Sequence, residues 1–565
     1  MLTLSGAASS SITDPAAMPA RTQAGIAAIL ALSSALLLNL AMPGTEVMGG
    51  WWPLLCFCLI PLLLSAQLRP ATAAASGFFF GLLAYCGQLY WILIVLGRYG
   101  GLPPWLSVPA LLLLASYMAL YSALFCLLFS WLLHGVQKQE HPGYTAFIRI
   151  WAPPLIWTGL DALRGILFTG FPWMDLGYGL FRQPHLLLPA DLGGHHLLTF
   201  CLVLINAVCA LFAAAAWQRK PLWRGALPSL AAACCLFLGL SVYSFLRTQE
   251  NIREAAAAPR AKIGLVQGNI EQDAKWTEEM KYATVERYLR LSGKLVNQDV
   301  ELVVWPETAL PFYPQDDPLA GKVAAFSASG PRLLTGAPLY RIEESQEGRI
   351  IHYFNGALIF GPHGKVDGVY SKQHLVPFGE YVPLKKLLFF LEPVAAAIGD
   401  FTPGNSKMPL YSDKLRVGVL ICYESIFPVI ARNTTALDAN MLVNITNDAW
   451  YGRSSAPVQS LAMAVLRAVE NRRALVRAAN TGISGFIDPQ GRVAEESAIF
   501  TETATAASIP LLQSQTVFTR VGYRFGLFCA FLVLPLALPR LLRQLGKGTK
   551  TPPTRRQSLK KAGNS

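Results

Sequence analysis

A chain of 565 residues has room for two or three domains, and 53% of its residues are apolar, too many for an ordinary water-soluble protein. The net charge of +13 is not a nucleic-acid footprint: between Arg540 and Lys561 stand eight Lys and Arg and no Asp or Glu, the pattern of a basic tail beside a membrane helix. The ten cysteines have neither zinc-ligand spacing nor the layout of a disulfide framework, and His195 and His196 stand in no ligand pattern, so no metal, cofactor or nucleic-acid partner is expected.

The apolar residues collect before residue 246 and after residue 521. Residues 1–22 are small, polar and nearly uncharged, without the basic start of a secretory signal, and read as an uncleaved N-terminal cytoplasmic segment. A spanning helix needs about 20 apolar residues. Candidates follow at 24–42, 51–66, 74–96, 107–133, 150–168, 197–217 and 226–245, with an eighth at 522–542. The pattern predicts a helical bundle over 23–246, an extracytoplasmic domain over 247–520, a last span over 521–543 and a basic tail over 544–565. In the fifth candidate Asp161 and Arg164 stand at i, i+3, where they neutralise each other on one helix face. A transporter would carry several unpaired charges or broken helices in its spans, and only Asp161 and Arg164 stand out. Arg69, Lys138, Arg149, Arg219, Lys220 and Arg224 fall in alternate loops on the side of the basic C-terminus, while the opposite loops hold only Arg98 and Arg182 among basic residues. The positive-inside bias then places both termini in the cytoplasm and domain 247–520 outside, in the periplasm where the cell has one.

The polar stretch alternates strands with helices, which argues α/β. Strands are predicted at 262–267, 301–305, 332–334, 357–360, 366–370, 415–421, 441–444 and 482–488, an amphipathic helix at 276–296 and a long helix at 460–479. Nine cysteines lie in the long apolar segments, and only Cys422 lies in the polar part. It ends the apolar run 415–421, where a rigid strand presents a thiol at its tip. Taken alone, it reads as a small buried hydrophobe. Glu307 follows VVWP and Lys372 follows VDGVYS, so both also stand just past strand ends. Sites in α/β sheets gather at the carboxyl ends of strands. A carboxylate to take a thiol proton, a thiolate to attack a carbonyl and an ammonium to stabilise the oxyanion form a sufficient set. Singly, Glu307 reads as a neighbour of a helix N-cap and Lys372 as a surface charge.

VQGNI (266–270), VWPET (304–308), KQHLVPFGE (372–380), ICYES (421–425), NITNDAWYG (444–452) and RAVENRR (467–473) together resemble the nitrilase superfamily. Within it, HLVPFGEYVP and the helical frame resemble the membrane branch, the apolipoprotein N-acyltransferases. The resemblance implies a four-layer αββα sandwich beside eight transmembrane helices, and a triad of Glu307 as proton acceptor, Lys372 as oxyanion stabiliser and Cys422 as nucleophile. It implies supporting roles for Glu380, which positions the lysine, and for Tyr423 and Glu424 beside the nucleophile, with the Tyr423 N–H a second oxyanion donor. Trp276 and Asn355 match positions associated with the lipid-binding cavity and its support. The implied partners are a phospholipid acyl donor, phosphatidylethanolamine in the family, and diacylated apolipoproteins as acceptors, at the inner membrane. Segment 384–398, two lysines and then a strongly apolar run, reads as a lid dipping into the headgroup region; a buried helix of the sandwich is the competing reading. A membrane-tethered amidohydrolase with the same triad is the alternative function.

Overall fold

The computed structural model describes residues 15–44, 50–136, 141–271, 277–345, 348–382 and 400–548. Trp276, segment 384–398 and the tail beyond 548 lie outside the described residues.

Six described helices are long and apolar enough to cross a membrane. They are α1 (Ala20–Ala41), α3 (Pro70–Leu89), α4 (Pro104–Val136), α6 (His195–Gln218), α7 (Leu227–Ala257) and the apolar part, Phe525–Leu542, of the last helix (Phe525–Gly548). The sequence predicts eight, and the difference falls on two stretches. Residues 51–66 fold as a 3₁₀ turn, Trp52–Cys56, and a six-residue helix α2 (Ile60–Ser65), about 9 Å long. The backbone freed by this break is satisfied from α6: Asn206 accepts from the Leu59 N–H at 2.9 Å and donates to the Leu55 carbonyl at 2.7 Å. The other stretch is α5 (Pro142–Arg164), which has the length of a span but carries Arg149, Asp161 and Arg164, all buried against its neighbours.

The polar half holds two six-stranded sheets, ordered β12-β1-β2-β3-β4-β5 and β11-β10-β9-β8-β7-β6. In the first, β1 (Arg260–Gln267), β2 (Leu302–Val304) and β3 (Arg332–Ser345) run parallel, and β4 (Gly348–Phe360) and β5 (Val366–Ser371) follow antiparallel. In the second, β7 (Leu415–Ile421), β8 (Met441–Thr446) and β9 (Leu475–Ala479) are parallel, flanked by β6 (Leu410–Ser412), β10 (Gly485–Ile487) and β11 (Val493–Ala494). These central strands are apolar on both faces, as parallel strands covered on both sides require. Alternation sorts their side chains. Leu265, Leu302, Val304 and Leu334 share one buried cluster with Val417, Val419, Ile421, Val443 and Val476 of the other sheet. The intervening Val266, Val303 and Leu333 join helices α8 (Glu278–Gly293) and α9 (Leu319–Ser329). On the second sheet Leu420, Leu442 and Leu475 join α10 (Pro428–Ala436), α11 (Ala456–Asn471) and the bundle in a single apolar cluster.

One element is corrected. Residues 460–479, expected as one helix, are α11 and then β9. The helix stops at Arg472, which takes a left-handed conformation at φ +51° and whose guanidinium lies 3.4 Å from Asp191 and 3.3 Å from Glu254. The chain then enters the sheet beside β8. β12 (Thr503–Pro510), which pairs antiparallel with β1, had no counterpart in the sequence reading.

Candidate active site

Cys422 ends β7, and the chain turns there into the 3₁₀ turn Cys422–Ile426 at a Cys422 φ of +50°. For a residue with a Cβ this conformation costs about 1–2 kcal/mol. Glu424 holds it in place. One carboxylate oxygen accepts from the Ile421 N–H at 2.8 Å, and the other from the Gln373 N–H at 2.6 Å and the Tyr370 hydroxyl at 2.9 Å. One buried side chain therefore ties the exit of β7 to the exit of β5, across the two sheets. Burial pushes Glu424 up to about 7 against the pull of those donors.

Lys372 follows β5 and is only 1% exposed. Its ammonium donates to Glu380 Oε1 at 2.8 Å and lies 3.6 Å from Glu307 Oε1. Asn355, on β4, donates through Nδ2 to the same two oxygens, at 2.8 Å to Glu307 and 2.8 Å to Glu380. The remaining oxygens are also fixed: Glu307 Oε2 accepts from the Asn447 N–H at 2.9 Å, and Glu380 Oε2 from the Val376 N–H at 2.8 Å. Glu307 is set down by the loop after β2, pressed onto Gly336 of β3. A Cβ on Gly336 would stand 2.5 Å from the Thr308 nitrogen and 2.6 Å from the Glu307 Cα.

Glu307 and Lys372 are buried, while Cys422 keeps partial exposure. Burial pushes its thiol up to about 12; the Glu307 charge adds to this and the Lys372 charge opposes it. Burial works against the Lys372 ammonium, but Glu380, Glu307 and Cys422 outweigh it and hold its pKa above the ordinary lysine value. The resting site is then a neutral thiol beside a carboxylate and a committed cation. A neutral thiol can act as a nucleophile only with a proton acceptor at hand, and Glu307 is a carboxylate whose charge reaches Cys422.

The structure brings together Glu307, Lys372, Glu380 and Asn355 in one hydrogen-bonded cluster next to Cys422. Glu424 faces the backbone and positions both strand exits. Tyr423 is buried with its ring 5.1 Å from Phe427 and 5.8 Å from His374. Burial, then the Lys372 charge, lowers His374 to about 4. Asn447 was missed by residue-level reading although NITNDAWYG contains it; the signal was a polar and aromatic run just past the end of β8. The same run meets the bundle: Tyr451 packs edge-on to Trp91 at 4.9 Å, and Trp450 on Tyr99 at 5.3 Å. Asp175, His195 and His196, without a pattern in sequence, are brought together with polar atoms within 4.8 Å of one another.

The model for the carbon-nitrogen hydrolase domain matches residues 262–517, and the model for the apolipoprotein N-acyltransferase N-terminal domain matches residues 34–208. An apolipoprotein N-acyltransferase of Geobacter metallireducens is 39% identical over 91% of this chain and 95% of its own length. The chain belongs to the apolipoprotein N-acyltransferase family. A relative of the same name from Azotobacter vinelandii is 34% identical over 87% of this chain and 91% of its own. Among solved structures, an amidase from Nesterenkonia sp. is 20% identical and covers 45% of this chain and 91% of that one, with a TM-score of 0.33. The apolipoprotein N-acyltransferase match covers both halves of the chain, the apolar helices and the sheets that carry Glu307, Lys372 and Cys422.

Proposed function

We propose that the chain moves the sn-1 acyl chain of a phospholipid, through a thioester on Cys422, to the α-amine of the diacylglyceryl-cysteine at an apolipoprotein N-terminus. The observation that carries this reading is the meeting of Glu307 and Lys372 beside a half-buried Cys422, in a domain whose core continues into an apolar helical bundle. The Cys422 sulfur attacks the ester carbonyl, and its proton passes to Glu307. The oxyanion forms beside Lys372 and the Tyr423 N–H, each such donor worth about 10²–10³ in rate. The bond from acyl carbon to glycerol oxygen breaks, and Glu307 returns the proton to the departing lysophospholipid. In the second half the neutral amine attacks the thioester, Glu307 takes a proton from the nitrogen, the C–S bond breaks, and the sulfur is reprotonated. The product is an amide, a third acyl chain on the lipoprotein.

This reading takes domain 247–520 as a four-layer αββα sandwich outside the inner membrane, facing the periplasm, with both termini in the cytoplasm. It counts stretches 51–66 and 150–168, broken or charged as they are, as the remaining two of eight spans. Fusion to the bundle suits substrates whose acyl chains stay in the bilayer, because withdrawing a chain costs about 0.8 kcal/mol per CH₂. Phosphatidylethanolamine is the proposed donor. From the sequence, segment 384–398 is proposed to keep water from the thioester and Trp276 to serve lipid binding. An amidohydrolase is not favoured, because the curated relatives that share both halves are apolipoprotein N-acyltransferases.

Intact-mass measurement of protein purified with phospholipid tests the reading. Wild type gains the mass of a long acyl chain, hydroxylamine releases it, and Cys422→Ala and Glu307→Gln never acquire it. Turnover of lipid by wild type with no adduct in single-turnover samples excludes the covalent route.

A further inference from the structure

The RAVENRR run has no part in the chemistry above, yet its first five residues lie on α11, whose residues are buried except Val458. Arg467 is fully buried there. One guanidinium nitrogen donates to the carbonyls of Ser425 and Ile426, both at 3.3 Å. These are the last two residues of the turn that begins with Cys422. The other donates to Tyr178 at 3.2 Å and to Glu470 at 2.9 Å. Glu470 Oε1 in turn accepts from the backbone and ring nitrogens of His195, at 2.9 and 3.2 Å, and the second ring nitrogen of His195 lies 2.9 Å from Asp175. Asp175 pairs with Arg164, which also holds Tyr85 and lies 3.2 Å from Asp161. Arg164, Asp175, His195, Arg467 and Glu470 are at most 1% exposed.

A bundle and a domain can be joined by apolar contact alone. This chain instead runs a continuous line of polar and charged groups from Tyr85 of α3 and Arg164 of α5 through His195 at the head of α6 to the turn that begins with Cys422. Burying such a line is costly, and each charge-assisted pair within it fixes the position of the groups it joins. We infer that Arg467 is a positioning residue for the Cys422–Ile426 turn, and that Glu470, His195 and Asp175 hold it there from the membrane bundle. The bundle thereby sets where the thiol stands relative to Glu307 and Lys372. This rests on the reading of Cys422 as nucleophile.

The test uses full-length protein in phospholipid nanodiscs, with rates taken on the monodisperse fraction. His195→Gln, remote from the thiol and less disruptive, and Arg467→Lys are each expected to slow Cys422 acylation about tenfold or more, at unchanged half-saturating lipid, because small misplacements of a reacting atom are costly. The double variant is expected to be no slower than the slower single, since both act through one line. Arg182→Ala removes an exposed bundle–domain ion pair to Glu496, 2.6 Å long, that does not reach the turn, and should stay within about twofold of wild type. A folded His195→Gln with wild-type acylation, multiplying effects in the double variant, or an equal loss in Arg182→Ala overturns the inference. Iodoacetamide labelling of Cys422 needs no lipid and keeps the two readings apart. If wild type takes no acyl chain, the proposed function falls, and the positioning role is still decided by labelling: the opened turn should react faster in both variants, and unchanged labelling refutes it.

Discussion

Glu307 does two opposite things to Cys422. Its charge helps hold the thiol neutral, with burial the larger cause of a pKa of about 12, and in the proposed reaction its carboxylate receives the proton when the sulfur attacks. Glu307→Gln separates the two effects. Without the charge the thiol becomes more acidic, so iodoacetamide should label Cys422 faster than in wild type at pH 9, while acylation by lipid is lost; slower labelling would place Glu307 away from the sulfur. In wild type the sign follows from the raised value. The neutral form is favoured in the fold, so this contribution to stability is complete below the ordinary thiol range and is lost as pH climbs toward 12. Labelling should rise about tenfold per pH unit beyond pH 9, where an unperturbed thiol levels off. Asn355 offers a second check. Its amide donates to both Glu307 and Glu380, and Asn355→Asp would put a third carboxylate between them. Two hydrogen bonds to charged groups are lost, each worth about 1.5–3 kcal/mol, so acylation should fall by about 10² or more, with Asn355→Ala less affected. Single-turnover mass analysis distinguishes them.

Among the elements, the strand ends that bear Glu307, Lys372 and Cys422 were legible because apolar runs stop at them, and each stands where the sequence reading put it. What was not legible is how the strands continue or break without the usual signals. Arg472 ends α11 in a left-handed turn with no Gly or Pro to mark it, so ALVRAA read as more helix although it is the core strand β9. β12 is built from Thr and Ala in half-exposed alternation, too weak a pattern to register before its pairing with β1 is seen. The Glu307 loop carries a hidden constraint of the same kind. Gly336 is an ordinary strand glycine in sequence, but the Glu307 backbone lies on it. Gly336→Ala must push backbone and not a flexible tip, so it should cost about 1–3 kcal/mol of stability and move the carboxylate. The expected result is lowered thermal stability together with slowed acylation; a variant that melts lower but acylates at the wild-type rate would show the loop yielding elsewhere.

At the scale of the whole molecule, composition separates an apolar part from a polar one, and a cut between them is the obvious expectation. The packing does not follow that cut. Leu420, Leu442 and Leu475 on one face of the second sheet share a continuous core with α11 and with Trp173, Tyr178 and Ala190 of the bundle. Gln459 of α11 accepts from the Trp173 indole at 2.9 Å and donates to the Gln88 carbonyl at 3.1 Å. Sequence could not reveal this, because polar residues at helical spacing do not say what covers them, whereas Gln459, Arg467 and Glu470 are buried and paired with the bundle. The polar domain therefore has one side that is finished only by membrane helices. Expressed alone as residues 258–516, it would expose that face as an apolar patch of the size that drives association, and Arg467 and Glu470 would lose His195 and Tyr178. The fragment should aggregate or require detergent, and its Cys422 should label faster than in the intact chain because the turn has lost its support. Size-exclusion chromatography with light scattering, followed by labelling of the soluble fraction, checks both. A monomeric fragment in plain buffer with wild-type labelling would mean that the bundle only anchors the domain and leaves the nucleophile to be placed by the sheets alone.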